Sequence, residues 1–185
     1  MSAPASIRLA TAADATRVAA IYNHYVDNTV ITFETEPVAA EAMAERMLKI
    51  VAEGLPYLVA EDSLLAADGR PDAVLGFAYA GPFRERAAYR HSVEATVYLD
   101  EGARSRGLGS LLYAELLERL REIPASASVH GPVHRVYAGI ALPNAASVAL
   151  HEKFGFVQVG TFVEVGFKFG QWIDVGFWEL GFDPQ

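Results

Sequence analysis

The sequence contains no cysteine among its 185 residues. That excludes disulfides, thiolate metal sites and a cysteine nucleophile, and it fits a reducing compartment. A surplus of positive charge is also missing. Lys and Arg number 15 against 23 Asp and Glu, for a formal net charge of −8 at pH 7. A field of that sign repels nucleic acid and anionic lipid, so neither is an expected partner. Any anionic ligand must then be held by a local basic cluster. No apolar run approaches the roughly 20 residues that span a bilayer. The opening "MSAPASIRLA" lacks the basic-then-apolar order of a signal peptide, and the expectation is a cytoplasmic protein. What is present is a globular composition, 52% hydrophobic and 21% charged. It is expected to form one domain over residues 1–185.

Apolar periodicity orders the chain. "SIRLA" (6–10) reads as a strand, and Thr11 with Asp14 has the capping-box form that starts a helix. Val18, Ile21, Tyr22 and Tyr25 then fall at helical spacing, before an irregular "DNTVITFETEP" (27–37). Met43, Met47, Ile50 and Val51 make a second stripe, the methionines serving as core filler. "YLVAE" (57–61) and "AVLGFAYAG" (73–81) read as a hairpin joined by a polar connection. A basic, aromatic loop "PFRERAAYRHS" (82–92) leads to the strand "VEATVYL" (93–99). A helix follows with Leu108, Leu111, Leu112, Leu116 and Leu120 on one side. "PASASVHGP" (124–132) is expected as a loop, "RVYAGIA" (135–141) as a strand. Asn144 caps a helix that stops at Gly155, and two last strands are joined by "KFGQ". The resulting β-α-α-β-β-β-α-β-α-β-β order implies an α/β chain, an α+β mixed sheet with helices on its faces.

The informative stretch is "ARSRGLGSLLYAELLERL" (103–120). A helix N-terminus carries about four unpaired N–H groups and roughly half a positive charge. Gly107 and Gly109 let a ligand approach the backbone, and Arg104 and Arg106 add forked donors suited to phosphate oxygens. Together they describe a diphosphate cradle. A P-loop needs Lys and then Ser or Thr after its last glycine, but Gly109 is followed by Ser110 and Leu111. A dinucleotide fingerprint needs a third small residue where Leu112 stands. His130 and His134 stand four apart, but Gly131 and Pro132 between them argue against a helix and no third ligand is evident. No metal is expected.

"RSRGLG" (104–109) after "VEATVYL" resembles the acetyl-coenzyme A signature of the GNAT acyltransferases, Arg/Gln-x-x-Gly-x-Gly/Ala. "NAASVALHEKFGF" (144–156) is similar to that family's second cofactor segment. "IYNHYVDNT", "FETEP", "YAGPFRERAAYRHSVEATVYL" and "VGFKFGQWIDVGFWEL" narrow the resemblance to the phosphinothricin and methionine-sulfone N-acetyltransferases, from about Ile7 to Leu180. The resemblance implies the GNAT acyl-CoA N-acyltransferase fold, a splayed central sheet flanked by helices. It also implies acetyl-CoA as cosubstrate, direct transfer to a small amine, and a homodimer. The "KFGQW" form is closer to the methionine-sulfone and sulfoximine enzymes.

The resemblance also implies roles. Pantetheine would lie along Val97, Tyr98 and Leu99 as an added strand. The diphosphate would sit on Arg104, Ser105, Arg106, Gly107, Leu108, Gly109 and Ser110, with Asn144 and Lys153 reaching it from the second helix. Transfer to an amine needs a proton acceptor, and Glu94 is the candidate base. A backbone N–H near Tyr98 or Leu99 would meet developing negative charge on the carbonyl oxygen. His151 stands where many GNAT enzymes carry a tyrosine, and is the candidate general acid for the leaving thiolate. Arg84 and Arg86 suit an acceptor bearing a carboxylate and a tetrahedral head, each charge-assisted bond worth about 1.5–3 kcal/mol. Glu85, Tyr89, Ala95, Thr96 and Phe33 complete the expected acceptor site, with Phe169 and Trp172 as further walls. Rival readings are a polyamine, antibiotic or protein N-terminus as acceptor, or a non-catalytic acyl-CoA sensor.

Overall fold

In the structure, a computed structural model describing residues 5–124 and 128–182, strands and helices follow in the expected order. They are β1 (Ala5–Leu9), α1 (Ala15–Asn28), α2 (Ala40–Ala52), β2 (Tyr57–Asp62), α3 (Ser63–Ala67) and β3 (Val74–Pro82). There follow β4 (Ser92–Leu99), α4 (Leu108–Arg121), β5 (Arg135–Ala141), α5 (Ala145–Lys153), β6 (Val157–Lys168) and β7 (Gln171–Gly181). The loop expected over 124–132 lies partly outside the described residues. Helix α3 departs from the simple hairpin expected between β2 and β3. The Asp62 carboxylate accepts the N–H groups of Leu64 and Leu65 at 3.1 and 3.3 Å, starting a turn too short to show a period.

Local signals start and stop the other elements. The Asp14 carboxylate accepts the Thr11 N–H at 2.7 Å at the start of α1. Asn144 accepts the Ser147 N–H at 3.1 Å at the start of α5, and Gly155 ends that helix with φ +85°. Phe169 and Gly170, at φ +50° and +75°, make the two-residue turn between β6 and β7.

The strands form one sheet in the order β1-β2-β3-β4-β5-β7-β6. Every neighbouring pair is antiparallel except β4 with β5. That parallel pairing covers only Ser92–Glu94 against Arg135–Tyr137. Beyond Glu94 the two strands part, and the sheet is split from that point to the end of β4.

Helices cover both faces, so β2 and β3 carry nearly continuous buried runs instead of alternation. On one face Val18, Ile21, Met43 and Met47 pack on Tyr57, Val59 and Phe77. On the other, Leu112, Leu116 and Leu120 pack on Val93, Val136 and Trp178. Each such leucine contributes about 1.5–3 kcal/mol by leaving water. Leu111, expected in this stripe, is 49% exposed, whereas Tyr113 and Leu117 are buried. The buried arc of α4 is centred near Leu116, and at about 100° per residue Leu111 falls on its far side.

Candidate active site

The split between β4 and β5 opens into a cleft of about 410 Å³. Glu94, the last residue of β4 to pair with β5, stands at its apex. Its carboxylate leans over bare backbone: a Cβ added at Gly139 would lie 3.2 Å from Glu94 Oε1. A glycine inside a strand signals such close approach, and "YAGIA" carried that signal without naming the partner. Burial pushes the Glu94 carboxyl above its ordinary 4.5, while the Arg84 charge and the backbone at Gly139 pull it part of the way back.

The register decides which backbone groups face the split. Phe83 donates to the Ser92 carbonyl at 3.2 Å and Asp100 to the Leu75 carbonyl at 2.8 Å. With no irregularity between, the even positions of β4 turn their N–H groups to β3, and Ala95, Val97 and Leu99 turn theirs to the gap. The Tyr25 hydroxyl donates to the Leu99 carbonyl at 2.6 Å and lies 3.4 Å from the Leu99 N–H. Of the amides near the expected donor, that of Tyr98 turns to β3, that of Leu99 faces the Tyr25 hydroxyl, and that of Val97 opens on the gap.

His151 also borders the cleft but is 4% exposed. Its Nδ1 donates to the Ser147 carbonyl at 2.7 Å, which leaves Nε2 to accept the Tyr113 hydroxyl at 2.6 Å. Burial holds the ring below its ordinary 6.5, partly opposed by the Ser147 bond. The imidazole is neutral near pH 7 with both nitrogens engaged. It has no spare proton, which weighs against the expected general-acid role. Tyr113 was missed because a tyrosine among leucines carries no sign of a buried hydroxyl's partner.

At the far end of β4 the chain turns into α4. Ser105 and Gly107 take positive φ, +62° and +76°, so successive N–H groups converge on one side. Among the described residues, the N–H groups of Ser105, Arg106, Gly107, Leu108 and Gly109 take no backbone partner. Nothing stands within 4 Å of a Cβ placed at Gly107. Lys153 reaches across from α5 and donates to Ser110 Oγ at 2.9 Å. The two arginines are held at the margins. Arg106 lies 3.8 Å from Asp62, and Arg104 stacks over Tyr25 at 5.3 Å. Anion-binding capacity here resides first in the backbone.

Of the expected acceptor residues, Phe33, Ala95 and Thr96 line the cleft with Glu94. Arg84, Glu85, Arg86 and Tyr89 are exposed on the β3–β4 loop and do not. Arg84 stacks on Phe83 at 4.2 Å and bonds that residue's carbonyl. Phe169 and Trp172 are exposed near the hairpin tip, outside the cleft wall. Thr32, Phe162 and Val165 line the cleft and were not anticipated. His130, in the loop before β5, bonds Glu53 at the end of α2 at 3.1 Å.

Comparison with known proteins agrees with this geometry. Residues 7–176 match the family model of the acetyltransferase (GNAT) domain. A phosphinothricin N-acetyltransferase of Streptomyces coelicolor is 45% identical over 159 residues, 86% of this chain and 85% of that protein. An L-methionine sulfoximine/L-methionine sulfone acetyltransferase of Pseudomonas aeruginosa is 37% identical over 180 residues, 97% and 96% of the two chains. The crystal structure of a GNAT superfamily phosphinothricin acetyltransferase from Sinorhizobium meliloti, in complex with AcCoA, superposes with a TM-score of 0.85 at 36% identity. It covers 98% of this chain and 89% of that one.

Proposed function

The chain belongs to the GNAT acetyltransferase family, and we propose that it moves an acetyl group from acetyl-CoA to the α-amino group of a small amino-acid-like substrate of the phosphinothricin, methionine sulfone or sulfoximine type. One observation carries this reading. A single strand, β4, has a raised-pKa carboxylate at one end of an open sheet gap and a turn of unpartnered amides at the other.

The residues present fit the cosubstrate. The amides of Ser105–Gly109 with Lys153 would hold its diphosphate, and the gap-facing carbonyls of Ala95 and Val97 would accept from the pantetheine amides. Bound there, acetyl-CoA would supply an activated acetyl thioester, whose C–S bond breaks as the amide C–N bond forms, the thiolate taking its proton from solvent. Glu94 draws the acceptor's ammonium into the cleft and takes its proton, directly or through water. A reference α-amino group titrates near 7.7–8.0, so about a tenth is neutral at pH 7 and the base has a modest deficit to make up. The Val97 N–H donates where negative charge develops. We assign His151 a positioning role at the cleft wall, where the buried Tyr113 hydroxyl holds its ring in place. Arg84 lies close enough for its field to reach Glu94 and is suited to an acceptor carboxylate at the mouth of the cleft.

We further propose that the chain acts in the cytoplasm, where its cosubstrate is made, as a single domain and as a homodimer. The edge strand β6 supports the last point. Val157, Val159, Val163 and Phe167 are each more than half exposed along it, a surface that a second copy would cover. Thiol release with methionine sulfone, phosphinothricin and spermidine, alongside acetyl-CoA titration, tests the reading. Turnover with an amino-acid acceptor and none with spermidine is expected. Turnover with spermidine alone would make the acceptor a polyamine. Cofactor binding without turnover on any amine would make the protein an acyl-CoA sensor.

A further inference from the structure

One wall of the cleft is not part of the sheet core. It is the α1–α2 connection, which contributes Ile31, Thr32 and Phe33. Connections of this kind are mobile unless tied down, and here the ties come from the far end of the chain. Strand β6 is interrupted by a bulge between Phe162 and Gly166. Glu164 takes φ +51° there, and its N–H is held by the Asp174 carboxylate at 2.7 Å. Past the bulge, a Cβ built at Gly166 would collide with the edge of the Phe33 ring. Gly166 is not among the positive-φ glycines, so what a side chain there would disturb is the seat of the Phe33 ring and not the backbone. Two residues on, Lys168 is 4% exposed and donates its ammonium to the Thr32 carbonyl at 2.9 Å. A buried ammonium is expensive to keep unless its bonds matter. From α1 the Tyr22 hydroxyl meets Thr32 Oγ1 at 2.6 Å.

We propose that Gly166 and Lys168 are positioning residues for acceptor selection: Gly166 seats the Phe33 ring, Lys168 grips the adjoining carbonyl, and together they place the cleft wall that the acceptor's side chain meets. This rests on the acetyl-transfer reading of the same cleft. Neither residue lies on β4 or the cofactor turn, so the effect falls on the acceptor and not on acetyl-CoA.

The test uses Gly166→Ala, Lys168→Met, Lys168→Arg and Phe33→Ala, with Gly166→Ala also placed in the Phe33→Ala background. Gly166→Ala and Lys168→Met are expected to raise the KM for methionine sulfone about tenfold. Their kcat and their KM for acetyl-CoA should stay within about threefold of the parent. Lys168→Arg keeps a donor and should recover most of the loss. In the Phe33→Ala background Gly166→Ala should add nothing, because the ring it displaces is gone. Additive effects, or equal losses in kcat and in acetyl-CoA KM, overturn the proposal. Hydrogen exchange of residues 29–36 provides a readout free of activity: it should quicken in both Gly166→Ala and Lys168→Met. Unchanged exchange in Lys168→Met overturns the proposal even if Gly166→Ala fails to fold. If the parent acetylates no amine, the functional reading fails, and exchange still decides whether the seat exists.

Discussion

Replacing Glu94 by Gln preserves the side chain's volume and removes its charge and basicity. A positioned general base contributes about 10²–10⁴-fold, and since about a tenth of the amine is already neutral at pH 7 the lower part of that range applies. We expect kcat/KM for the acceptor to fall about 10²–10³-fold, which is about 2.7–4 kcal/mol of transition-state stabilisation. Cofactor affinity should behave differently. Glu94 and Leu99 bound an extended stretch of β4, so at about 3.3 Å per residue they lie about 16 Å apart, and the amide turn at Ser105–Gly109 begins only beyond Leu99. Across that distance a unit charge in water is felt by only about 0.3 kcal/mol. Removing a negative charge therefore leaves diphosphate binding unchanged or slightly tighter. The assay pairs thiol release across about pH 5 to 9 with calorimetric titration of acetyl-CoA. Because burial raises the Glu94 pKa above 4.5, parent activity should fall as pH drops through that raised value, and the Gln variant should lose this limb. A fall under about threefold, or matched losses of turnover and cofactor affinity, would refute the assignment.

Arg84 lowers the Glu94 pKa, so Arg84→Ala should shift the acid limb of kcat/KM to higher pH and raise the acceptor KM; a limb that does not move separates the loop from the base. Tyr113→Phe leaves His151 Nε2 without its donor in a buried site, which costs about 1–3 kcal/mol. Thermal melts measure that loss, and nitrogen NMR of the imidazole should still find the proton on Nδ1 at pH 7. Gly107→Ala places an L-residue at φ +76°, costing about 1–2 kcal/mol and, for a chain of this size, about 2–8 °C of Tm. It also narrows access to the turn, so acetyl-CoA should bind about tenfold more weakly. Equal affinity would move the diphosphate elsewhere.

Features written in short runs of residues were legible before any coordinates. "RSRGLG" marked a glycine-containing approach to a helix start, Asn144 a cap, Gly155 a stop and "KFGQ" a tight turn, because each depends on backbone preferences within a few residues. Glu94 was reachable through resemblance, whereas its place at the end of the parallel pairing is a matter of the sheet. What local sequence could not contain is the direction a group takes once strands pair. Register turns the Val97 N–H into the gap and the Tyr98 N–H away from it, although the two are neighbours. Packing against Tyr113 consumes the His151 nitrogen that a free imidazole would offer to a thiolate. Arg84 and Arg86 read in the sequence as a basic pair, and only the folded loop leaves both exposed beyond the cleft wall with the Arg84 charge still acting on Glu94. Gly166 reads as an ordinary strand glycine until Phe33, far away in the chain, is laid on it. Pairwise contact across long loops is a property of the assembled fold, and only the assembled fold could decide it.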